Sequence, residues 1–400
     1  MSRAGRAGKT QRRKGRVRKF LLFVFVIVLL AGAAAAYMYV RVNQPYRGYD
    51  ASEQFVDLPQ GSGSAAIGQR LAAAGVVRDV STFRLALWSS RQGRHLKAGE
   101  YRFDRAMTPF EVIDKLARGD VFVITVTFPE GLTIAEMAKI FESHAVGSAA
   151  SFVAASKDAS LVRDLDPAAA DLEGYLFPET YLLSRHTDAA KMMRLMVGRF
   201  THVFTPEMRG RAAARGLTVR QAVTLASIVE KETATADERP LVAAVYTTRL
   251  RIGMPLQCDP TVIYALAKAG RYDGNIHKAD LALESPYNTY RHPGLPPGPI
   301  ASPGRASLEA ALNPADADYL YFVSRNDGTH EFARTLEEHN RNVQKYQIEY
   351  FRAERAAAGA APAAAAGKPG KTGTAGTADG SLGSRRSSAP ARPRARRPGR

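Results

Sequence analysis

Cysteine is all but missing from this 400-residue chain, where Cys258 stands alone. No intrachain disulfide can form, and no cysteine-rich metal site can be built. A thiol nucleophile at Cys258 has little behind it. Its neighbours Asp259 and Pro260 supply no base, and an adjacent acid raises a thiol pKa. The eight histidines show neither H-E-x-x-H nor another paired-ligand spacing, so neither a metal nor a cofactor is expected. Acid is missing from both ends. Residues 1–19 carry nine Lys/Arg and no Asp or Glu, and residues 361–400 carry nine against the single Asp379. Almost all of the net charge of +18 therefore sits in two tails, and residues 20–360 are close to neutral. Nucleic-acid binding wants a basic face on a folded domain, so nucleic acid is not an expected partner.

What is present first is an apolar run. Phe20 to Val40 is 21 residues without a charge, long enough to cross a bilayer as a helix of roughly 30 Å. The basic residues before it predict a cytoplasmic N-terminus and an exported remainder. Ala33 to Ala36 would suit a cleaved signal peptide, but the run exceeds the ~7–15 residues of a signal core, which favours an uncleaved anchor. Residues 41–54 read as a juxtamembrane connector. The chain is long enough for two folded domains besides its tails. An internal echo marks their junction. Phe55-Val-Asp-Leu-Pro-Gln-Gly61 and Val126-Thr-Phe-Pro-Glu-Gly131 both read as strand, Pro-x-Gly turn, then amphipathic helix. Between them lie a short strand, Lys97 to Phe103, and a helix opened by Met107-Thr-Pro109. The expected class is α+β, with a small module at 55–125 and a larger mixed domain at 126–352. Small β-α units of this kind resemble the LysM fold, which implies glycan binding; a plain spacer is the alternative. In the larger domain the spacing predicts helices over 133–145, 188–203, 218–232, 237–251, 305–312 and 335–352, and strands over 174–183 and 319–323. Residues 357–400 hold Ala, Gly, Pro, Ser and Arg and no aromatic residue, a composition that cannot bury a core and is expected to be disordered.

The segment Ala226-Ser-Ile-Val-Glu-Lys-Glu-Thr233 carries the clearest chemical signal. Thr218 with Gln221 three residues on is a capping-box signature. Val219, Val223, Ala226 and Glu230 then share one helix face. Glu230 ends an apolar stripe, where lost hydration favours a protonated carboxyl, the form a general acid needs. The alternative is a structural carboxylate paired with an Arg. Glu232, rotated about 200° away, is expected in solvent. Three further stretches gather aromatic, amide and acid groups. The first is Leu172 to Tyr181, with Glu173, Tyr175 and Glu179. In the second, Leu256 to Tyr264, Asp259 reads as an N-cap before Pro260, and Gln257 is free to face a ligand. The third, Ser285 to Ile300, is a long Pro-stiffened loop with Tyr287, Asn288, Thr289 and Tyr290. Aromatic faces beside amides and hydroxyls suit a sugar. Two carboxylates would make a hydrolase, with Glu173, Glu179 or Asp259 as partner to Glu230. A lyase needs one, because the sugar's own 6-hydroxyl replaces water.

The stretches Ala226 to Thr233, Glu173-Gly-Tyr-Leu-Phe-Pro-Glu-Thr-Tyr181, Leu256-Gln-x-Asp-Pro-Thr-Val-Ile-Tyr264, Tyr287-Asn-Thr-Tyr290, Gly294-Leu-Pro-Pro-Gly298 and Tyr319-Leu-Tyr-Phe-Val323 together resemble the YceG-like (MltG) family of membrane-bound endolytic murein transglycosylases. The resemblance covers roughly residues 20–350, with the six motifs in family order. It implies a lyase that cuts MurNAc–GlcNAc β-1,4 bonds inside nascent peptidoglycan strands and leaves 1,6-anhydroMurNAc ends. It implies an inner-membrane protein with its catalytic domain outside the cytoplasm, working on strands near the cytoplasmic membrane and the peptidoglycan synthases, and limiting strand length. The family's catalytic Glu maps onto Glu230. Gln257, Tyr287, Asn288, Tyr290, Glu173 and Tyr175 match motif positions and are the expected glycan contacts. A two-carboxylate muramidase and a non-catalytic glycan-binding scaffold are the competing readings.

Overall fold

The computed structural model describes residues 7–233 and 235–360. Residues 1–6 and 361–400 lie outside the described residues; of the segment 357–400 expected to be disordered, the first four residues instead continue the last helix, Tyr350–Ala360. The fold is mixed α+β and divides into two units. Unit one spans Met1–Thr125 and Leu182–His186, and unit two spans Val126–Tyr181 and Thr187–Arg400.

Unit one begins with α1 (Ala7–Asn43), followed by β1 (Gln54–Leu58), α2 (Ser64–Ala73), α3 (Val80–Ser90), β2 (Gly99–Phe103) and α4 (Pro109–Arg118). Within α1, Arg18–Asn43 is the one helix among the described residues long and apolar enough to cross a membrane, and none of its apolar window is buried. The expected connector is shorter than the spacing predicts, because α1 runs on to Asn43 and Val42 is buried in the unit's core. Strands β1 and β2 pair antiparallel, Gln54 opposite Phe103 and Leu58 opposite Gly99. Leu58, Leu71, Phe83, Tyr101, Ile113 and Leu116 fill the core between this ribbon and its helices. Helix α4 is set by a capping box between Thr108 and Glu111, with Pro109 in its first turn.

The echo is real at the level of backbone. Gly61 and Gly131 both take positive φ, 82° and 76°, and each turn leads from a strand into a helix. The second copy is β3 (Ile124–Thr127) followed by α5 (Ile134–Ser143). After α6 (Ala149–Ala155) comes β4 (Thr180–Leu183), which pairs with β3. The strand expected over 174–183 is confined to β4. Gly174 sits at φ 82° and Tyr175 N–H closes a turn onto the Leu172 carbonyl at 3.0 Å, so the first half is a turn.

The rest of unit two is largely helical. Its helices are α7 (Ala189–Val203), α8 (Pro206–Ala214), α9 (Val219–Glu232), α10 (Arg239–Arg251), α11 (Asp259–Lys268) and α12 (Arg305–Leu312). A hairpin of β5 (Tyr321–Ser324) and β6 (His330–Ala333) follows, paired antiparallel with Phe322 opposite Phe332. The chain then runs through α13 (Leu336–Val343), a π-turn at Gln344–Glu349 and α14 (Tyr350–Ala360), so the last expected helix is one rod with a widened turn. Helix α9 is the axis of the unit. Its N-terminus carries the full capping box of Thr218 with Gln221, and every residue from Ala222 to Val229 is buried. Helices α8, α10, α11 and α12 pack around it. The apolar stripe read from the sequence is therefore one part of a helix covered on several sides.

Candidate active site

Glu230 lies in the last turn of α9, and its side chain is 6% exposed. Its Oε2 accepts the Gly304 backbone N–H at 3.0 Å. Its Oε1 lies 3.4 Å from Nη2 of Arg239, the first residue of α10. The arginine of the structural alternative is thus present, but it is shared. The same Nη2 stands 3.7 Å from Oε2 of Glu130, whose side chain is 46% exposed. Burial, and then the charge of Glu230, push the Glu130 carboxyl above its ordinary pKa, with Arg239 opposing.

Backbone bonds hold these groups together. Gly131 N–H donates to the Ser302 carbonyl at 2.9 Å, and Ser302 N–H donates to the Leu132 carbonyl at 2.8 Å. Lys231 Nζ reaches the Gly131 carbonyl at 3.1 Å. Ile300 N–H donates to Ser227 Oγ on α9 at 3.1 Å. The Pro-Glu-Gly turn, the end of α9 and the loop into α12 are therefore one assembly. At Gly304 a Cβ would stand 1.8 Å from Glu130 Oε1, so glycine is what lets two carboxylates approach one backbone segment. Glu130 is hidden in the sequence because Pro-Glu-Gly is also an ordinary turn signal. The available signal was the acid itself, since the first copy of the echo carries Gln60 at that place.

Glu232 corrects a second expectation. It is half-buried, not solvated, and its Oε1 accepts from Tyr246 Oη at 2.6 Å. Burial raises its pKa, opposed by bonds from the Cys258 thiol and Tyr246. The cause is the packing of α10 and α11 on α9, which takes this side of the helix out of bulk solvent. Glu232 lines a cavity of ≈ 450 Å³ with Gln257, Asp259, Tyr290, Tyr321 and His339. Gln257 sits at φ 50°, in the left-handed region that costs a non-glycine residue energy, and its N–H donates to the Thr289 carbonyl at 3.2 Å. Asp259 is not the cap expected of it. Cys258 takes the N-cap position without a side-chain bond, and the Asp259 carboxylate accepts from Tyr290 Oη at 2.6 Å. Burial and the neighbouring Glu232 charge push the Cys258 thiol up, away from nucleophilic use.

The other expected contacts lie elsewhere. Glu173 is buried, accepts Ile134 N–H at 3.1 Å and Tyr264 Oη at 3.3 Å, and is pushed by burial to a pKa of about 8. Tyr287 packs its ring 4.9 Å from that of Tyr264, with Lys268 Nζ 5.2 Å above it. Tyr175 is an interior brace whose hydroxyl donates to Asp166 at 2.6 Å, and Arg220 grips the same carboxylate at 2.8 and 2.9 Å. Asn288 is fully buried and ties the loop, donating to the Leu281 and Leu283 carbonyls at 3.0 and 2.8 Å. Its Oδ1 accepts Tyr290 N–H at 3.0 Å. Glu179 is occupied by Arg199 at 2.8 Å. The expected residues thus fall into separate groups: Glu230 at the shared arginine, Gln257 and Tyr290 in the cavity, Glu173 and Tyr287 around Tyr264, and Tyr175 and Asn288 as braces.

Fold and site together describe a mixed α+β protein built around a buried carboxylate at a helix end, with aromatic and amide groups of the kind that suit a sugar. The YceG-like family model matches residues 56–345, and the chain belongs to that family. It is similar to the endolytic murein transglycosylase of Bacillus subtilis (strain 168), 33% identical over 312 residues that make up 73% of this chain and 84% of the relative. It is also similar to the endolytic murein transglycosylase of Streptococcus pneumoniae serotype 2 (strain D39), 30% identical over 357 residues. That match takes in 81% of this chain and 64% of the pneumococcal protein, so the chain spans less than two thirds of that relative. The crystal structure of a yceG-like protein from Listeria monocytogenes matches with a TM-score of 0.51 and 31% identity, over 72% of this chain and 98% of that one.

Proposed function

We propose that this protein is a membrane-anchored lytic transglycosylase of peptidoglycan, a lyase that cuts glycan strands internally. The observation that carries the reading is Glu230, buried at the end of α9 between the Gly304 N–H and Arg239, in a chain whose relatives are named for this activity. The bond cut is the β-1,4 link from MurNAc to GlcNAc. Protonated Glu230 gives its proton to the glycosidic oxygen, and the C1–O bond breaks. Gly304 N–H and Arg239 stabilise the carboxylate left behind. The sugar's 6-hydroxyl attacks C1, and Glu230 takes the hydroxyl proton. The products are a new GlcNAc end and a 1,6-anhydroMurNAc end, with Glu230 protonated as at the start and no water consumed.

In this reading the cavity beside Glu232 holds a neighbouring part of the strand, with Gln257 and Tyr290 as contacts. The anchor keeps the N-terminus cytoplasmic and the catalytic unit outside, in the inner membrane, so that the strands cut are newly made ones and synthases are neighbours. Unit one acts as a LysM-like glycan holder. A cavity of ≈ 490 Å³ between its β1–α2 turn and the segment before β2, lined by Pro59, Gln60, Gly61 and Lys97, supports that role.

The test is mass spectrometry of products from the full-length chain in detergent acting on uncrosslinked peptidoglycan. Ends one water lighter than a reducing sugar, lost in Glu230→Gln, are expected. One observation favours a second reading, a hydrolase that activates water: Glu130 supplies the second carboxylate that Glu173, Glu179 and Asp259 were candidates for. Hydrated reducing ends would decide for it.

A further inference from the structure

Glu130 touches the guanidinium that pairs with Glu230, yet the lytic chemistry above gives it nothing to do. The geometry is specific. Both carboxylates reach the same Nη2, at 3.4 and 3.7 Å, and Glu130 also lies against the Gly304 segment whose N–H serves Glu230. Among the described residues, the other charged groups near this turn form an ion pair with neither carboxylate. Lys231 donates to the Gly131 carbonyl, Arg305 pairs with Glu309 at 2.8 Å, Glu238 with His330 at 2.7 Å, and Glu232 accepts from Tyr246. Two carboxylates then face one positive charge, an arrangement neutral overall only when one of them carries a proton.

We infer that Glu130 is a positioning residue for Glu230: its carboxylate takes up the Arg239 charge, so that the buried partner can carry the proton the reaction needs. One carboxylate and one guanidinium already balance in charge; a second carboxylate on the same guanidinium is what makes room for a proton in that balance. Glu130 is the more exposed of the pair, so it bears a negative charge at lower desolvation cost. Burial first, and then the charge of Glu230, raise the Glu130 pKa, so the two carboxyls titrate as a coupled pair.

This inference rests on the proposed function in taking Glu230 as the acid. The experiment is the pH dependence of kcat for the full-length chain in detergent, comparing wild type with Glu130→Gln and Glu130→Asp. In Glu130→Gln the alkaline limb is expected to move about one pH unit lower, with a roughly tenfold lower rate on that limb and KM nearly unchanged. Glu130→Asp keeps the charge and is expected to return the limb toward wild type. A limb in the same place in all three proteins, with or without a uniform loss of rate, would overturn the inference and assign Glu130 to holding the turn. Product mass decides the lytic reading separately, since anhydro ends can persist whether or not the limb moves.

Discussion

Replacing Glu230 by Gln keeps an acceptor for the Gly304 N–H and deletes the proton that the proposed reaction moves twice. Turnover is expected to fall at least about 100-fold while the melting temperature stays close to wild type, checked by product release and thermal unfolding. Gly304→Ala acts on the same pair from the backbone side. The new Cβ would collide with the Glu130 carboxylate, the movable end of a flexible side chain, so the fold is kept and the carboxylate is displaced. Its pH profile is expected to shift as that of Glu130→Gln does. Glu173 gives a stability prediction. Its pKa rises from 4.5 unfolded to about 8 folded, so the folded state binds the extra proton between those values. Stability therefore falls as pH rises from about 4.5 to about 8, and Glu173→Gln is expected to flatten that fall in melts across the range. At this scale the burial of Glu230 was legible, because an acid closing an apolar stripe is a local pattern. The sequence concealed Glu130, whose meaning depends on Arg239 and Gly304, far away in the chain. It misdirected at Glu232, because periodicity reports one face of a helix and not how many neighbours surround it.

Helix α9 combines two kinds of information that the chain encodes differently. Its start is a matter of four residues, and Thr218 with Gln221 announces it; Thr218→Ala is expected to cost about 1 kcal/mol in chemical unfolding and leave kcat unchanged. Its end is set by long-range bonds to the Pro-Glu-Gly turn and the 300–304 loop, none of which a local pattern predicts. The same contrast separates the other elements. Helix α12 was legible at Arg305–Leu312, whereas β6, four residues at His330–Ala333, is too short to show alternation and exists through its pairing with β5. The stretch from Gly174 to Glu179 reads as strand because its aromatics suit a sheet, while Gly174 turns the backbone instead.

On the scale of the molecule, the two basic tails and the apolar run were plain from composition, and the two units were foreshadowed by the repeated strand–turn–helix. An uncleaved anchor predicts that the full-length protein stays in the membrane pellet after alkaline extraction and that deleting residues 1–40 releases it, followed by immunoblotting of the fractions. The junction below the anchor has a mechanical meaning. Val42 is packed in the core of unit one, Arg41 Nη2 grips Asp79 at 3.0 Å, and Tyr46 bridges to Met107. The apolar run ends at Val40, only about 3 Å of helix rise before Val42. With α1 in the bilayer, unit one is mounted on a bracket and not a leash. Its standoff is set by helix geometry, so unit one rides at lipid height, and torque applied to it passes into the anchor instead of being lost in a slack tether.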